Sequence, residues 1–218
     1  MERDKLGILG NVYRSGMVMT VAPTKLHFKD LGSEILLVEN LLEPSLCSHI
    51  LQVAECCQFK PSSILINVVD TEVRKGGILA LGNTENSLLE STNQLLLSKV
   101  KIIQDLLLRH YGVPFPHAEM CSLLRYGPGD AYKRHVDNLL LASRFMELAN
   151  NIPTRDISIV GYLNDTFEGG ETLFDRQNIK VKPQAGSAIV FPAYYTHPHQ
   201  SLPVTKGKKY AFTCWLFH

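Results

Sequence analysis

From residue 118 onward the sequence is a succession of short β-branched and aromatic runs separated by turn residues. Residues 120–124, 157–163, 171–174, 179–181, 187–191 and 210–217 each predict a strand, and Gly169-Gly170 and Pro183-Gln184-Ala185-Gly186 predict turns. Only residues 139–151 in this half predict a short helix, interrupted by Pro153. The first half is different. Leu46, Ile50, Val53, Ala54 and Cys57 recur at helical spacing after Glu43, Pro44 and Ser45, which suit a helix start. A longer helix is predicted over 87–110, with Leu89, Leu96, Val100, Ile103 and Leu107 on one face and Gly112, Pro114 and Pro116 beyond its end. Strands are predicted at 34–38 and 63–69, and loops at 74–77 and 82–84. Residues 1–32 show no steady period, apart from a short strand expected at 17–21. Helices followed by strands predict an α+β chain, and many short strands predict a sandwich or barrel.

A length of 218 residues suits a single domain with one sizeable core. With 22 basic and 21 acidic residues, the net charge of +1 gives no strong field, which disfavours nucleic acid and anionic membrane as partners. The N-terminus carries no apolar signal core, and no run of about 18 apolar residues suggests a membrane span. Five cysteines, an odd number without a CxxC pair, fit free thiols in a reduced, cytoplasmic setting.

The chemistry concentrates in 125–138. On a strand, residues i and i+2 project to one face, so His135 and Asp137 can reach one metal ion from one side. A third ligand must come from elsewhere, and His197 and His199 are both candidates. Two His and one carboxylate leave three coordination positions open, the facial arrangement of non-haem Fe(II) oxygenases. By itself His-x-Asp is a weak signal among eight His and 21 acidic residues.

Three blocks in one order strengthen it. Arg125-Tyr126-Gly127-Pro128-Gly129, Tyr132 and His135-Val136-Asp137 form the first. Tyr162-Leu163-Asn164-Asp165 and Glu168-Gly169-Gly170-Glu171-Thr172-Leu173-Phe174 form the second. Gly186-Ser187-Ala188-Ile189-Val190-Phe191-Pro192, His199, Pro203-Val204-Thr205-Lys206-Gly207 and Lys209-Tyr210 form the third. Together they resemble the Fe(II)- and 2-oxoglutarate-dependent dioxygenases of the prolyl 4-hydroxylase-like branch. The stretch from Lys209 to Trp215 is similar also to the oxygen-sensing prolyl hydroxylases.

The resemblance implies a double-stranded β-helix, or jelly roll, with supporting N-terminal helices. Residues 1–34 would be an N-terminal arm, 35–117 a strand and supporting helices, and 118–218 the core with the metal site. It implies Fe(II), 2-oxoglutarate as co-substrate, O2 and ascorbate. The family's second His stands four residues before Pro203 and ten before a basic residue that binds the distal carboxylate of 2-oxoglutarate. This spacing selects His199 with Lys209 and leaves His197 to line the entrance or be exposed. The implied cofactor-binding set adds Tyr162, Thr213 and Tyr126, with Trp215 walling the pocket and Arg134 on the surface or rim. Asp137 implies hydroxylation, because the related halogenases lack this carboxylate.

The expected activity is therefore hydroxylation of an unactivated C–H bond in a prolyl residue, an amino acid or a related compound, with release of succinate and CO2. The substrate is small-molecule or peptidyl, with the selecting loops expected at 76–86 and 139–155. The oligomeric state is not encoded legibly. Competing readings are a hydroxylase of another small metabolite, a non-catalytic metal-binding β-fold protein, and a zinc hydrolase. A structural metal site has no use for Lys209, and the HExxH motif of one class of zinc hydrolases is missing from the sequence.

Overall fold

The computed structural model describes residues 26–62, 70–82, 85–138, 149 and 153–218. The strands expected at 17–21 and 63–69 lie outside these residues, as does the helix expected at 139–151 apart from helical Ala149.

Two helices form where the apolar period is helical. α1 (Pro44–Cys56) begins with Pro44, whose fixed φ is already helical, and buries Cys47, Ile50, Val53 and Ala54. α2 (Ser87–Tyr111) starts where the Asn86 side chain accepts from the Leu88 and Leu89 N–H groups at 3.1 and 3.2 Å. It ends at Gly112, which takes φ 70° and donates its N–H to Leu108 O.

The strands are β1 (His27–Asp30), β2 (Leu36–Glu39), β3 (Lys60–Pro61), β4 (Arg74–Lys75), β5 (Gly77–Ala80), β6 (His117–Ala118), β7 (Ser122–Tyr126), β8 (Ala131–His135), β9 (Ile157–Tyr162), β10 (Glu168–Gly169), β11 (Thr172–Phe174), β12 (Ile179–Val181), β13 (Ala188–Pro192), β14 (His199–Ser201), β15 (Val204–Lys206) and β16 (Lys209–Phe217). The large antiparallel sheet runs β1-β2-β13-β9-β16-β7-β5-β3, with β6 also pairing β16. A second sheet runs β12-β11-β14-β8-β4, and β10 pairs β15.

Residue parity on the central strands separates two cores. On β16, Tyr210, Phe212, Cys214 and Leu216 face α1 and α2, together with Ile157 and Ile159 of β9. The opposite face carries Ala211 and Tyr162, which meet Phe174 and Val181 of the second sheet. The second core is the space between the sheets, and the site lies at its edge.

The 74–77 loop expectation fails. Arg74 and Lys75 pair with Tyr132 and Ala131, and Gly77 opens β5. β14 and β15 also went unpredicted, since three-residue strands of His-Gln-Ser and Val-Thr-Lys show no alternation long enough to register. The expected 34–38 strand begins later, at Leu36, because Ser33 and Glu34 hold left-handed φ values of 53° and 61°.

Gly161 is opposite Phe212 in the β9–β16 ladder, and a Cβ there would fall 1.9 Å from the Phe212 ring. Phe212 is fully buried, so its ring can yield only by displacing packed neighbours. Gly161→Ala should therefore lower unfolding stability by about 1–3 kcal/mol in urea titration. An unchanged midpoint would show that the Phe212 ring relocates freely.

Candidate metal centre

β8 and β14 are neighbours, and their register sets His135 directly opposite His199. The two rings lie with centroids 4.3 Å apart. The Nδ1 of His135 meets Lys133 O at 2.8 Å, and the Nδ1 of His199 meets His197 O at 3.2 Å. A carbonyl only accepts, so these contacts put the proton on Nδ1 and leave each Nε2 lone pair for another partner.

Asp137 joins them from just past the end of β8. The strand stops at His135, so the i, i+2 relation is completed by a turn rather than by the pleat. That turn is pinned. Asn138 N–H donates to Ala193 O, the Asn138 amide donates to Arg155 O, and Arg155 Nη1 donates to Asp137 O. Asp137 Oδ1 stands 3.4 Å from His135 Nε2, and Oδ2 stands 3.8 Å from His199 Nε2. One ligand atom from each residue falls within 4.8 Å of the others.

The charges suit a divalent cation. Burial opposes ionisation of Asp137, but His199 and His135 outweigh it and hold the carboxyl well below its usual range. Burial and the neighbouring His135 lower His199 to about 4, so it stays neutral with its lone pair available. Two imidazoles and one carboxylate are the donor types of a facial metal-ligand set.

Stacking supports the centre. The Tyr132 ring lies 3.5 Å from the His135 ring centroid at 15°, and the Arg74 guanidinium lies 4.5 Å from the Tyr132 centroid. Phe174 and Phe191 border the His199 ring.

Lys209 begins β16 on the same interior face. It is buried, and its Nζ donates to Gly170 O at 2.6 Å and Ser201 Oγ at 3.2 Å. It also lies 5.6 and 5.5 Å from the Tyr126 and Tyr162 ring centroids. Among the described residues no carboxylate forms an ion pair with it. Burial lowers its pKa to about 7, with Glu171 raising it from a distance. A buried amine with this little compensation is a ready counter-charge for an anion entering between the two tyrosines. Tyr162 is fully buried, and its hydroxyl shares a 2.9 Å hydrogen bond with Thr172 Oγ1. Thr213 is buried on the Lys209 face of β16.

Three comparisons bear on this geometry. The family described as the 2OG-Fe(II) oxygenase superfamily matches residues 121–217, the segment holding every ligand candidate and Lys209. That segment is similar to the superfamily over its whole length, from the residue before β7 to the end of β16. Among curated proteins it is 29% identical to a putative prolyl 4-hydroxylase of Acanthamoeba polyphaga mimivirus, over 82% of this chain and 72% of that protein. It is 30% identical to probable prolyl 4-hydroxylase 9 of Arabidopsis thaliana, over 78% and 64%. Both of these relatives carry prolyl 4-hydroxylase names. In fold it matches a viral collagen prolyl hydroxylase from Paramecium Bursaria Chlorella virus-1, solved with 2OG, at TM-score 0.63 and 21% identity over 85% of this chain and 96% of that one. It also matches a Trichoplax adhaerens prolyl hydroxylase at TM-score 0.67 and 22% identity, over 84% and 83%. The matched superfamily is named for 2OG and Fe(II), and both curated relatives are named as hydroxylases.

The structure brings His135, Asp137 and His199 together and sets Lys209 beside Tyr126 and Tyr162. His197 departs from expectation. It is buried, with Nε2 at 2.6 Å from Ser33 O and Nδ1 at 2.9 Å from Thr196 Oγ1, and so fastens the turn before β2 to the metal strand. Arg134 is exposed as expected and pairs with Asp175 at 2.7 Å. Sequence reasoning missed Glu119, Arg155, Ser158 and Ser201. No local pattern marks them.

The lowered pKa of Lys209 has a stability consequence. Between about pH 7 and the ordinary lysine value of about 10.4, the unfolded chain carries one more proton than the folded one. Stability from this group therefore rises with pH across that window. Wild type should gain in urea midpoint between pH 7 and 10 relative to Lys209→Met, and parallel curves would mean an ordinary lysine.

Proposed function

We propose that this enzyme hydroxylates a C–H bond of a prolyl residue, with His135, Asp137 and His199 as the Fe(II) ligands. The observation that carries the assignment is one interior surface bearing both the His-Asp-His cluster and a buried, carboxylate-free Lys209. A structural metal would need only the first. The relatives named as prolyl 4-hydroxylases support the prolyl substrate.

In this reading Lys209 receives the distal carboxylate of 2-oxoglutarate, between Tyr126 and Tyr162, with Thr213 further along the same face. With its co-substrate, Fe(II) at the cluster supplies the oxidising chemistry that inserts one oxygen atom of O2 into the C–H bond, releasing succinate and CO2. The protein's own contributions are positional. The Lys133 and His197 carbonyls fix the imidazole tautomers, Tyr132 holds the His135 ring, and the Asn138–Arg155 contacts hold Asp137 at its turn. The apolar residues between the sheets keep water from the interior face.

The two facing sheets with helices on one side support a double-stranded β-helix forming one domain. Free cysteines support a reduced, cytoplasmic setting. No helix among the described residues is long and apolar enough to cross a membrane.

Succinate release from 2-oxoglutarate with Fe(II) and ascorbate tests the assignment. His135→Ala or Asp137→Ala should reduce turnover at least 100-fold, and wild-type turnover in either variant would overturn the ligand set. The apparent KM for 2-oxoglutarate should rise with pH above about 7, by up to about tenfold per unit, because the dicarboxylate requires Lys209 as its ammonium. A KM independent of pH from 7 to 9 would remove Lys209 from that role.

A further inference from the structure

Three residues in a row hold left-handed backbone in the turn before β2. Gly32, Ser33 and Glu34 take φ values of 101°, 53° and 61°. Only the first is a glycine, and an L side chain disfavours that region. Residues persist there where their surroundings over-determine them. Within the turn, Ile35 N–H donates to Gly32 O at 3.1 Å and Leu31 N–H donates to Ile35 O at 2.9 Å. Ser33 O is used elsewhere. It accepts from His197 Nε2 at 2.6 Å, from a residue 164 positions further along the chain.

His197 is buried and held on every side. A carbonyl only accepts, so Nε2 is its protonated nitrogen, and Nδ1 meets Thr196 Oγ1 at 2.9 Å. Its main-chain N–H donates to Tyr194 O at 2.9 Å, and the preceding carbonyl, Thr196 O, accepts from Gln177 Nε2 at 2.7 Å. What remains is its own carbonyl, which accepts from His199 Nδ1 at 3.2 Å. Pro198 stands between the two histidines, and its fixed φ makes their peptides turn together.

The His199 ring needs this support. Pairing with β8 sets its backbone, not the rotation of its ring. β14 is three residues long, and its register with β8 shifts between His199 and Ser201. Phe174 and Phe191 border the ring, but neither offers an acceptor. The Nδ1 of His135 has its carbonyl at 2.8 Å, whereas that of His199 has one at 3.2 Å, the long end of the ordinary range. Displacement of the His197 carbonyl would therefore free the His199 ring first.

We propose that His197 is a positioning residue for the metal centre: its ring, anchored on Ser33 O, holds its carbonyl against His199 Nδ1 and so turns His199 Nε2 toward the metal. The β1–β2 turn thereby becomes part of the metal-binding unit, and its left-handed run is accounted for by the contact it makes. This rests on the proposed role of His199 as a ligand.

The test uses the full chain and Zn(II) alone. His197→Phe keeps a buried ring and removes both nitrogens, while His197→Gln keeps a donor near the Nε2 position. Zn(II) affinity, measured by competition with a chromogenic chelator, should fall about tenfold in His197→Phe and stay near wild type in His197→Gln. In metal-free protein labelled with 15N-histidine, His199 should carry its proton on Nδ1 in wild type and His197→Gln, and show mixed tautomers in His197→Phe. A merely structural role would lower the urea midpoint of His197→Phe and leave its Zn(II) affinity and the His199 tautomer unchanged, which overturns the proposal. An equal loss of affinity in His197→Gln also overturns it. If His197→Phe does not fold, the wild type decides. Coupling is reciprocal, so Zn(II) should slow solvent exchange of His197 Nε2–H about tenfold, and exchange indifferent to Zn(II) overturns the proposal. A wild type in which Zn(II) leaves the His135 and His199 resonances unmoved removes the ligand set and His197 with it. Zn(II) bound alike by all three proteins keeps the ligand set and removes only His197.

Discussion

The pairing of β8 with β14 is the contact on which the site depends. It puts His135 opposite His199 across a ladder of backbone hydrogen bonds, 64 residues apart in the chain. Backbone pairing is stiffer than any loop, so the distance between the two imidazoles is fixed before a metal arrives. Asp137 then needs only one turn beyond the strand, and that turn is held by Asn138 and Arg155. Each of the three candidate ligands is oriented by a backbone carbonyl or a pinned peptide, which limits the reorganisation that metal binding would demand.

Charge is distributed along the same interior. At one end an ionised carboxylate and two imidazoles offer a donor set for a cation. At the other, the buried Lys209 amine awaits an anion. Neither end is satisfied by the protein alone, and both are expensive to bury unfilled. This complementarity matches a site for a metal and a dicarboxylate bound together. The helices take no direct part. α1 and α2 bury the opposite face of the large sheet and so hold flat the surface from which Tyr162, Lys209 and Trp215 project.

Several local expectations survived because their signals are local. The helical spacing of Leu89, Leu96, Val100, Ile103 and Leu107 is the buried stripe of α2, and Gly169 and Gly170 do take positive φ at a turn. The expectations that failed needed partners. Arg74–Lys75 looked like a loop because two residues carry no period, yet pairing with β8 makes them a strand. His197 looked like an entrance residue because nothing near it in sequence reveals that Ser33 O will meet its ring.

The sequence by itself determined the candidate ligand types and their order. His135 and Asp137 are two residues apart, so almost any extended or tightly turned backbone keeps them together, and the family spacing singled out His199 and Lys209. Tertiary structure alone decided what surrounds them. The Tyr132 stack, the ring contacts of Phe174 and Phe191 with His199 and the Asn138–Arg155 contacts at the Asp137 turn join residues from separate strands and turns. Such contacts are set by sheet register and twist, which depend on the whole chain folding at once, and no short stretch of sequence encodes them.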